Sequence, residues 1–218
     1  MDIFIYLAMI LVVAGMLYAA LTTSIGFCPV KIKEVMMITF TLMIFRVGSL
    51  WALLIIDSVK LIYILRNFVF LNIIYIPLIM FITLYIFYRN TKINLQWFYY
   101  IFLAATACYI ICIFLIPMEY YISPSYGYNV VLSSDIPYKI LLCISGFTFF
   151  AGMQAVRYKY SVKWGIILIE VMSLLFLATT AMALRSTENI GLLLLGELGW
   201  MIVLYSSVVT FRINGTGK

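Results

Sequence analysis

Residues 68–88 read FVFLNIIYIPLIMFITLYIFY, a run without a single charged side chain. A transmembrane helix needs about 20 mostly apolar residues to cross a hydrocarbon layer of about 30 Å, so this stretch is long enough to span a bilayer. The whole chain has the same character, since 66% of its 218 residues are hydrophobic, 10% are charged, and the mean hydropathy is +1.15. Soluble domains are about a quarter charged. The composition therefore predicts an integral membrane protein and excludes a cytosolic enzyme, a nucleic-acid-binding module and a disulfide-stapled secreted domain.

Six further apolar runs of similar length follow one another along the chain, separated by short polar breaks. The seven predicted spans are 3–22, 35–56, 68–88, 97–117, 136–156, 164–184 and 190–211. This pattern predicts an all-α fold, a single bundle of seven transmembrane helices over residues 1–218, in a multi-pass protein of the cell membrane. Only the break after the fourth span, residues 118–135, is long enough to have structure of its own.

Lysine and arginine are divided unequally between the two ends of the predicted bundle. Nine lie at the end that carries the C-terminus and four at the other end. The nine are Lys31, Lys33, Arg89, Lys92, Arg157, Lys159, Lys163, Arg212 and Lys218, and the four are Lys60, Arg66, Lys139 and Arg185. Cytoplasmic loops carry the excess of positive charge. The count therefore predicts that the N-terminus is outside the cell and the C-terminus is in the cytoplasm, as a short tail.

Three ionisable side chains fall within predicted spans: Arg46, Glu170 and Glu197. An unpaired Arg near the middle of a span costs about 2.5–3.5 kcal/mol on translocon-type scales. At about 1.5 Å of rise per residue, Arg46 lies at a depth between the two glutamates, so we expect it to contact one of them. The other glutamate is then expected to be protonated, hydrated or bound to something. The three residues form either an ion pair that only joins helices, or a polar site for a ligand, an ion or a conformational switch.

Other polar and small residues give expectations about packing. Asn72, near the outer end of the third span, is expected to be solvated at the interface. Pro77 is the only proline well inside a span and predicts a kink there. Small residues are expected to let helix backbones approach closely: Gly15 and Ala19 in the first span, and Gly191, Gly196 and Gly199 in the seventh.

The chain lacks the side chains on which most metal and hydrolytic chemistry depends. It has no histidine, and its four cysteines form no metal-ligand motif, so we expect no metal site and no cofactor. The cysteines are interpreted as small buried residues. The similar predicted depth of Cys112 and Cys143 leaves a contact or a disulfide between them as the alternative.

Five tyrosines mark the long outer loop and the start of the span that follows it. They are Tyr120, Tyr121, Tyr126, Tyr128 and Tyr138. Aromatic residues at this height usually form the interfacial belt of a membrane protein. The alternative is a lid or a recognition surface over the mouth of the bundle, since tyrosine offers contact area and a hydroxyl at a low entropic cost.

Residues 64–81, ILRNFVFLNIIYIPLIMF, enter the third span with a Tyr-Ile-Pro core. Together with seven spans, an outside N-terminus, short inner loops and one longer loop after the fourth span, this stretch resembles the seven-helix sensor region at the N-terminus of some bacterial histidine kinases. The resemblance implies a sensor or receptor. The chain departs from that family because only seven residues follow Phe211. The resemblance then implies either a receptor that acts through a separate signalling partner or a chain cut after its sensor.

Three classes of function fit the sequence. The first is a non-enzymatic sensor or receptor that binds a small ligand or a membrane partner and shifts between two packings. The second is a transporter or channel that carries a small solute or ion past Arg46, Glu170 and Glu197. The third is an integral-membrane lipid enzyme with the two glutamates as acid and base, for which we find no other catalytic group. The expected partners are the lipid bilayer, a small ligand and a signalling or membrane protein, but not nucleic acid.

Overall fold

The computed structural model of the protein describes residues 3–55, 59–89, 94–123, 127–185 and 191–215. The elements are α1 (Ile3–Phe27), α2 (Val30–Ile55), α3 (Val59–Val69), α4 (Asn72–Tyr88), α5 (Trp97–Leu115), β1 (Met118–Ser123), β2 (Gly127–Leu132), α6 (Ile136–Val156), α7 (Lys163–Arg185) and α8 (Leu193–Gly215). Within these described ranges, seven helical segments are long and apolar enough to cross a membrane, with α3 and α4 counted as one. The predicted helical bundle is therefore confirmed, and it fits a multi-pass membrane protein.

The third predicted span is built from two consecutive helices. Between them, the N–H of Leu71 donates to the carbonyl of Phe68, and the N–H of Ile73 donates to that of Phe70. These bonds reach back three residues instead of four, which is the pattern of a tight 3₁₀ turn. Pro77 lies inside α4, well past this break, and neither glycine nor proline occurs at the break itself. Apolar residues in a tight turn therefore separate α3 from α4.

Helix α4 is the centre of the bundle. It packs against α2, α5, α6, α7 and α8, and most of its side chains are buried. Its sequence is apolar on every side, as expected for a helix surrounded by other helices. Around it, α1 packs against α2 and α8, and α7 packs against α6 and α8. Helix α5 has α4 as its main neighbour, and many of its large side chains remain exposed.

Glycines let α7 and α8 approach each other. A Cβ atom added to Gly196 would lie 2.6 Å from Thr179 Oγ1 and 2.7 Å from Phe176 Cδ2, and one added to Gly199 would lie 3.0 Å from a methionine sulfur on α7. The predicted close approach is confirmed at these two positions. At Gly15 a Cβ would meet nothing within 4 Å, so the prediction is wrong there.

The long loop after α5 forms an antiparallel β-hairpin. Its register runs from the pair Met118 and Leu132 to the pair Ser123 and Gly127. Strand β2 packs against α2, and its last three residues, 130–132, are buried. Of the loop tyrosines, Tyr120 and Tyr121 lie in β1 and Tyr128 lies in β2, whereas Tyr126 lies outside the described residues. We call the end of the bundle that carries these strands the hairpin end.

All four cysteines are free. The alternative of a disulfide between Cys112 and Cys143 is therefore wrong. Cys112 is buried but Cys143 is exposed on α6, so the interpretation as a small buried residue is also wrong for Cys143.

Candidate functional site

Arg46 and Glu197 form a bidentate ion pair between α2 and α8. The Arg46 Nε donates to Glu197 Oε2 at 3.1 Å, and Nη2 donates to Oε1 at 2.6 Å. Both residues are buried, with 6% of Arg46 and 3% of Glu197 exposed. Two parallel bonds between a guanidinium and a carboxylate are the strongest geometry available to such a pair. Of the three intramembrane ionisable residues, these two are brought together.

Helix α4 adds two donors to the same carboxylate. Asn72 Nδ2 donates to Glu197 Oε1 at 3.3 Å, and the Tyr75 hydroxyl donates to Oε2 at 2.7 Å. Asn72 and Tyr75 are three residues apart and therefore share one face of α4. Each oxygen of Glu197 thus accepts two hydrogen bonds. We call Arg46, Asn72, Tyr75 and Glu197 the Glu197 cluster.

The burial of Asn72 overturns the expectation that it is solvated at the interface. Only 4% of the residue is exposed. The reason is the break before α4, which makes Asn72 the first residue of a central helix while α3 continues the chain away from it. A buried amide needs hydrogen-bond partners, and Glu197 supplies one for its Nδ2 group.

Glu170 does not join the cluster. It is half-buried on α7 beside Gly152 of α6, where a Cβ added to the glycine would lie 3.2 Å from Glu170 Cγ. Among the residues that the structure describes, its carboxylate has no hydrogen-bond or ion-pair partner. Arg46 therefore does not pair with Glu170. The three intramembrane ionisable residues form one ion pair, Arg46 with Glu197, and Glu170 is a separate carboxylate.

A small cavity with a mixed polar and apolar lining lies beside the ion pair at the hairpin end. Its volume is about 40 Å³, and its lining includes Tyr6 of α1, Arg46, Asn72, Val130 of β2 and Tyr138 of α6. The Oδ1 atom of Asn72 is buried without a hydrogen-bond partner in the described structure. Because one water needs about 10–15 Å³ of such space, the cavity has room for about three waters or one very small polar molecule.

The core on the other side of the cluster is mostly apolar. Large side chains from three helices fill it, all at most 1% exposed: Phe40 and Met43 from α2, Ile79 from α4, and Trp200 and Leu204 from α8. This layer separates the cavity from the far end of the bundle in the described structure.

The sequence identified only part of the site. Tyr138 lines the cavity and is 7% exposed, so the interpretation of this tyrosine as part of an interfacial belt is wrong. The sequence pattern does not single out Tyr6, Asn72 or Tyr75 as site residues. The signal for the last two was available, because they are polar and three residues apart in an otherwise apolar span.

The described residues contain no group of three or more His, Cys, Asp or Glu side chains that could hold a metal ion. No protein-family model matches the chain, and neither the curated proteins nor the solved structures contain a significant match. The resemblance to histidine kinase sensor regions therefore stays a prediction, and function has to be argued from the geometry of the cluster and its cavity.

Proposed function

We propose that this protein is a non-enzymatic membrane sensor in which the Glu197 cluster is the switch. The observation that carries the proposal is the convergence of α2, α4 and α8 on one buried carboxylate, beside a cavity whose lining includes Asn72, a residue with a buried and unsatisfied Oδ1 acceptor. A buried pair that only joins helices needs neither the cavity nor the orphaned Asn72 Oδ1. The hairpin contributes Val130 to the lining of the cavity.

The switch works by competition for hydrogen bonds. A small polar molecule in the cavity donates to Asn72 Oδ1 and accepts from Arg46, which loosens the hold of both residues on Glu197. Partial loss of a buried, fully bonded ion pair is costly, so the bundle adopts a second packing in which the charges are compensated differently. Because α4 touches five other helices, a shift of α4 is transmitted across the bundle. The signal then reaches a separate membrane or signalling protein.

The geometry gives less support to a lipid enzyme. The proposed acid and base would be Glu170 and Glu197, but Glu197 is held by four hydrogen bonds and Glu170 lies apart against α6. A general acid and base must both reach the reacting atoms.

The switch can be tested by distance measurements between spin labels at the hairpin end. Lys60 on α3 and Lys139 on α6 are exposed and serve as labelling positions after replacement by cysteine in a background without native cysteines. We expect Glu197→Gln, and more mildly Tyr75→Phe, to add a second distance population. Glu170→Gln is the matched control and should leave the distribution unchanged. Identical distributions in all variants that still melt cooperatively would show that the cluster only joins helices.

One observation favours transport as a second candidate function. Span three is interrupted directly next to the cluster, and interrupted helices form the binding sites of many transporters. Flux assays in proteoliposomes distinguish the two functions. A pH dye inside the vesicles reports proton flux, and separate assays measure the flux of sodium, potassium and glycerol. A flux that disappears in Arg46→Met would place transport first, whereas a distance change without flux supports sensing.

A further inference from the structure

A long apolar groove runs along the surface between α5 and α6, with α4 as its floor. Two adjoining hollows of about 280 Å³ and about 250 Å³ share Pro77, Ile101 and Ile144 in their linings, so they form one continuous groove. On α4 the groove extends from Ile73 to Leu84. It has no residue in common with the cavity at the Glu197 cluster.

Small side chains and helix spacing keep this groove open. Helix α5 packs mainly on α4, whereas α6 packs on α4 and α7, which leaves a gap between two helices that follow each other in sequence. Ala104 and Ala105 lie on the α5 wall at one end of this gap, and Ala104 is exposed.

The lining offers almost nothing that water could bind. The only hydroxyl in the lining belongs to Thr148, in the hollow of about 250 Å³. This hydroxyl donates to the carbonyl of Ile144 at 2.8 Å. Empty apolar cavities do not hold water, and at this depth the surrounding solvent is hydrocarbon. The outer rim continues into exposed apolar side chains such as Phe147, which is 74% exposed.

The length of the groove matches one lipid leaflet. The eleven helical steps from Ile73 to Leu84 rise about 16 Å, and half of a hydrocarbon layer of about 30 Å is about 15 Å. The groove begins near the start of α4 and α6 at the hairpin end and extends to Leu84 on α4 and Ile101 on α5, each four residues from the opposite end of its helix, so it crosses the middle of the bundle. We propose that it binds one acyl chain of a phospholipid.

The proposal is independent of the sensor function and can be tested by native mass spectrometry. The purified protein is reconstituted with a palmitoyl-oleoyl phosphatidylglycerol probe, extracted into detergent and measured. We expect one phospholipid to remain on the wild type, and Ala104→Phe, which fills the groove, to lower the lipid-bound fraction at least fivefold. Ala107→Phe is the matched control, because Ala107 is exposed on the same helix but does not line the groove.

The possible outcomes distinguish a phospholipid in the groove from a second copy of the chain. Equal lipid retention in both phenylalanine variants, or none in the wild type, would overturn the proposal. A protein dimer that Ala104→Phe dissociates, with no lipid bound, would show that a second copy of the chain occupies the groove instead. Added phospholipid should raise the melting temperature of the wild type and of Ala107→Phe but not of Ala104→Phe. This measurement compares each variant with itself, so it is valid even if the variants differ in stability.

Discussion

Two buried charges at the centre of the Glu197 cluster depend on each other. Arg46 and Glu197 are both almost fully buried, and each is the other's only opposite charge at hydrogen-bond distance in the described structure. Replacing one partner leaves an uncompensated charge, which costs about 3–5 kcal/mol, whereas neutralising both removes the problem. When both charges are neutralised, Asn72 and Tyr75 still hydrogen-bond the neutral amide or carboxyl group at position 197.

This dependence predicts strong coupling between Arg46 and Glu197. We expect Arg46→Met and Glu197→Gln each to lower the free energy of unfolding by about 3–5 kcal/mol, and the double variant to lose less than the sum. The coupling free energy, measured by unfolding in detergent micelles, should be about 0.5–3 kcal/mol.

The control is the same cycle with Glu170→Gln, because Glu170 lies outside the cluster. The effects of Arg46→Met and Glu170→Gln should add to within about 0.5 kcal/mol. Additivity in both cycles would mean that Arg46 faces a water-filled path, and transport would then replace sensing as the better function.

Elements differ in how well the sequence predicts them. Helix α6 has the predicted bounds, 136–156, because hydropathy is a local property that sets helix length in a bilayer. The break between Val69 and Asn72 could not be predicted, since those residues carry no helix-breaking signal and only tertiary packing places the turn. The hairpin does have a sequence signal, because aromatic and β-branched residues flank Gly127 in both strands.

Helix packing around α8 can be tested at Gly196. We expect Gly196→Ala to destabilise the bundle by about 1–3 kcal/mol, because the added methyl would overlap Thr179 and the fully buried ring of Phe176. The gain in helix propensity from Gly to Ala, about 1 kcal/mol, does not offset this overlap. Gly15→Ala, where the methyl meets open space, should keep that gain. A higher melting temperature for Gly196→Ala would show that α7 and α8 are further apart than described.

The whole molecule shows which inferences the sequence could support. Seven spans and the depth of Arg46 follow from composition and rise per residue, so the bundle and a buried ion pair were predictable. The partner was not, because depth alone leaves Glu170 and Glu197 equivalent and only the rotation of α7 and α8 decides between them. Tyr6, Tyr75 and Tyr138 belong to the site through contacts between distant segments, which hydropathy does not encode.

The orientation of the bundle in the membrane remains a prediction from the distribution of positive charge. The two ends carry different numbers of Lys and Arg residues, and the end opposite the hairpin has the larger share. Cytoplasmic loops retain these charges, so the hairpin, and with it the cavity at the Glu197 cluster, should face the outside of the cell. A sensor of external molecules requires this orientation.

Cysteine labelling in intact cells tests the orientation. In a background without native cysteines, Ser133→Cys should react with an impermeant maleimide, and Lys159→Cys should react only after the cells are opened, since both positions are exposed at opposite ends of the bundle. Native Cys28 is a poor reporter for the inner end, because burial raises the pKa of its thiol and lowers the reactive thiolate fraction at neutral pH. Its labelling in opened cells should be slower than that of Lys159→Cys and should accelerate as the pH rises. If Lys159→Cys reacts in intact cells and Ser133→Cys does not, the bundle is inverted, and the cavity would sample the cytoplasm instead.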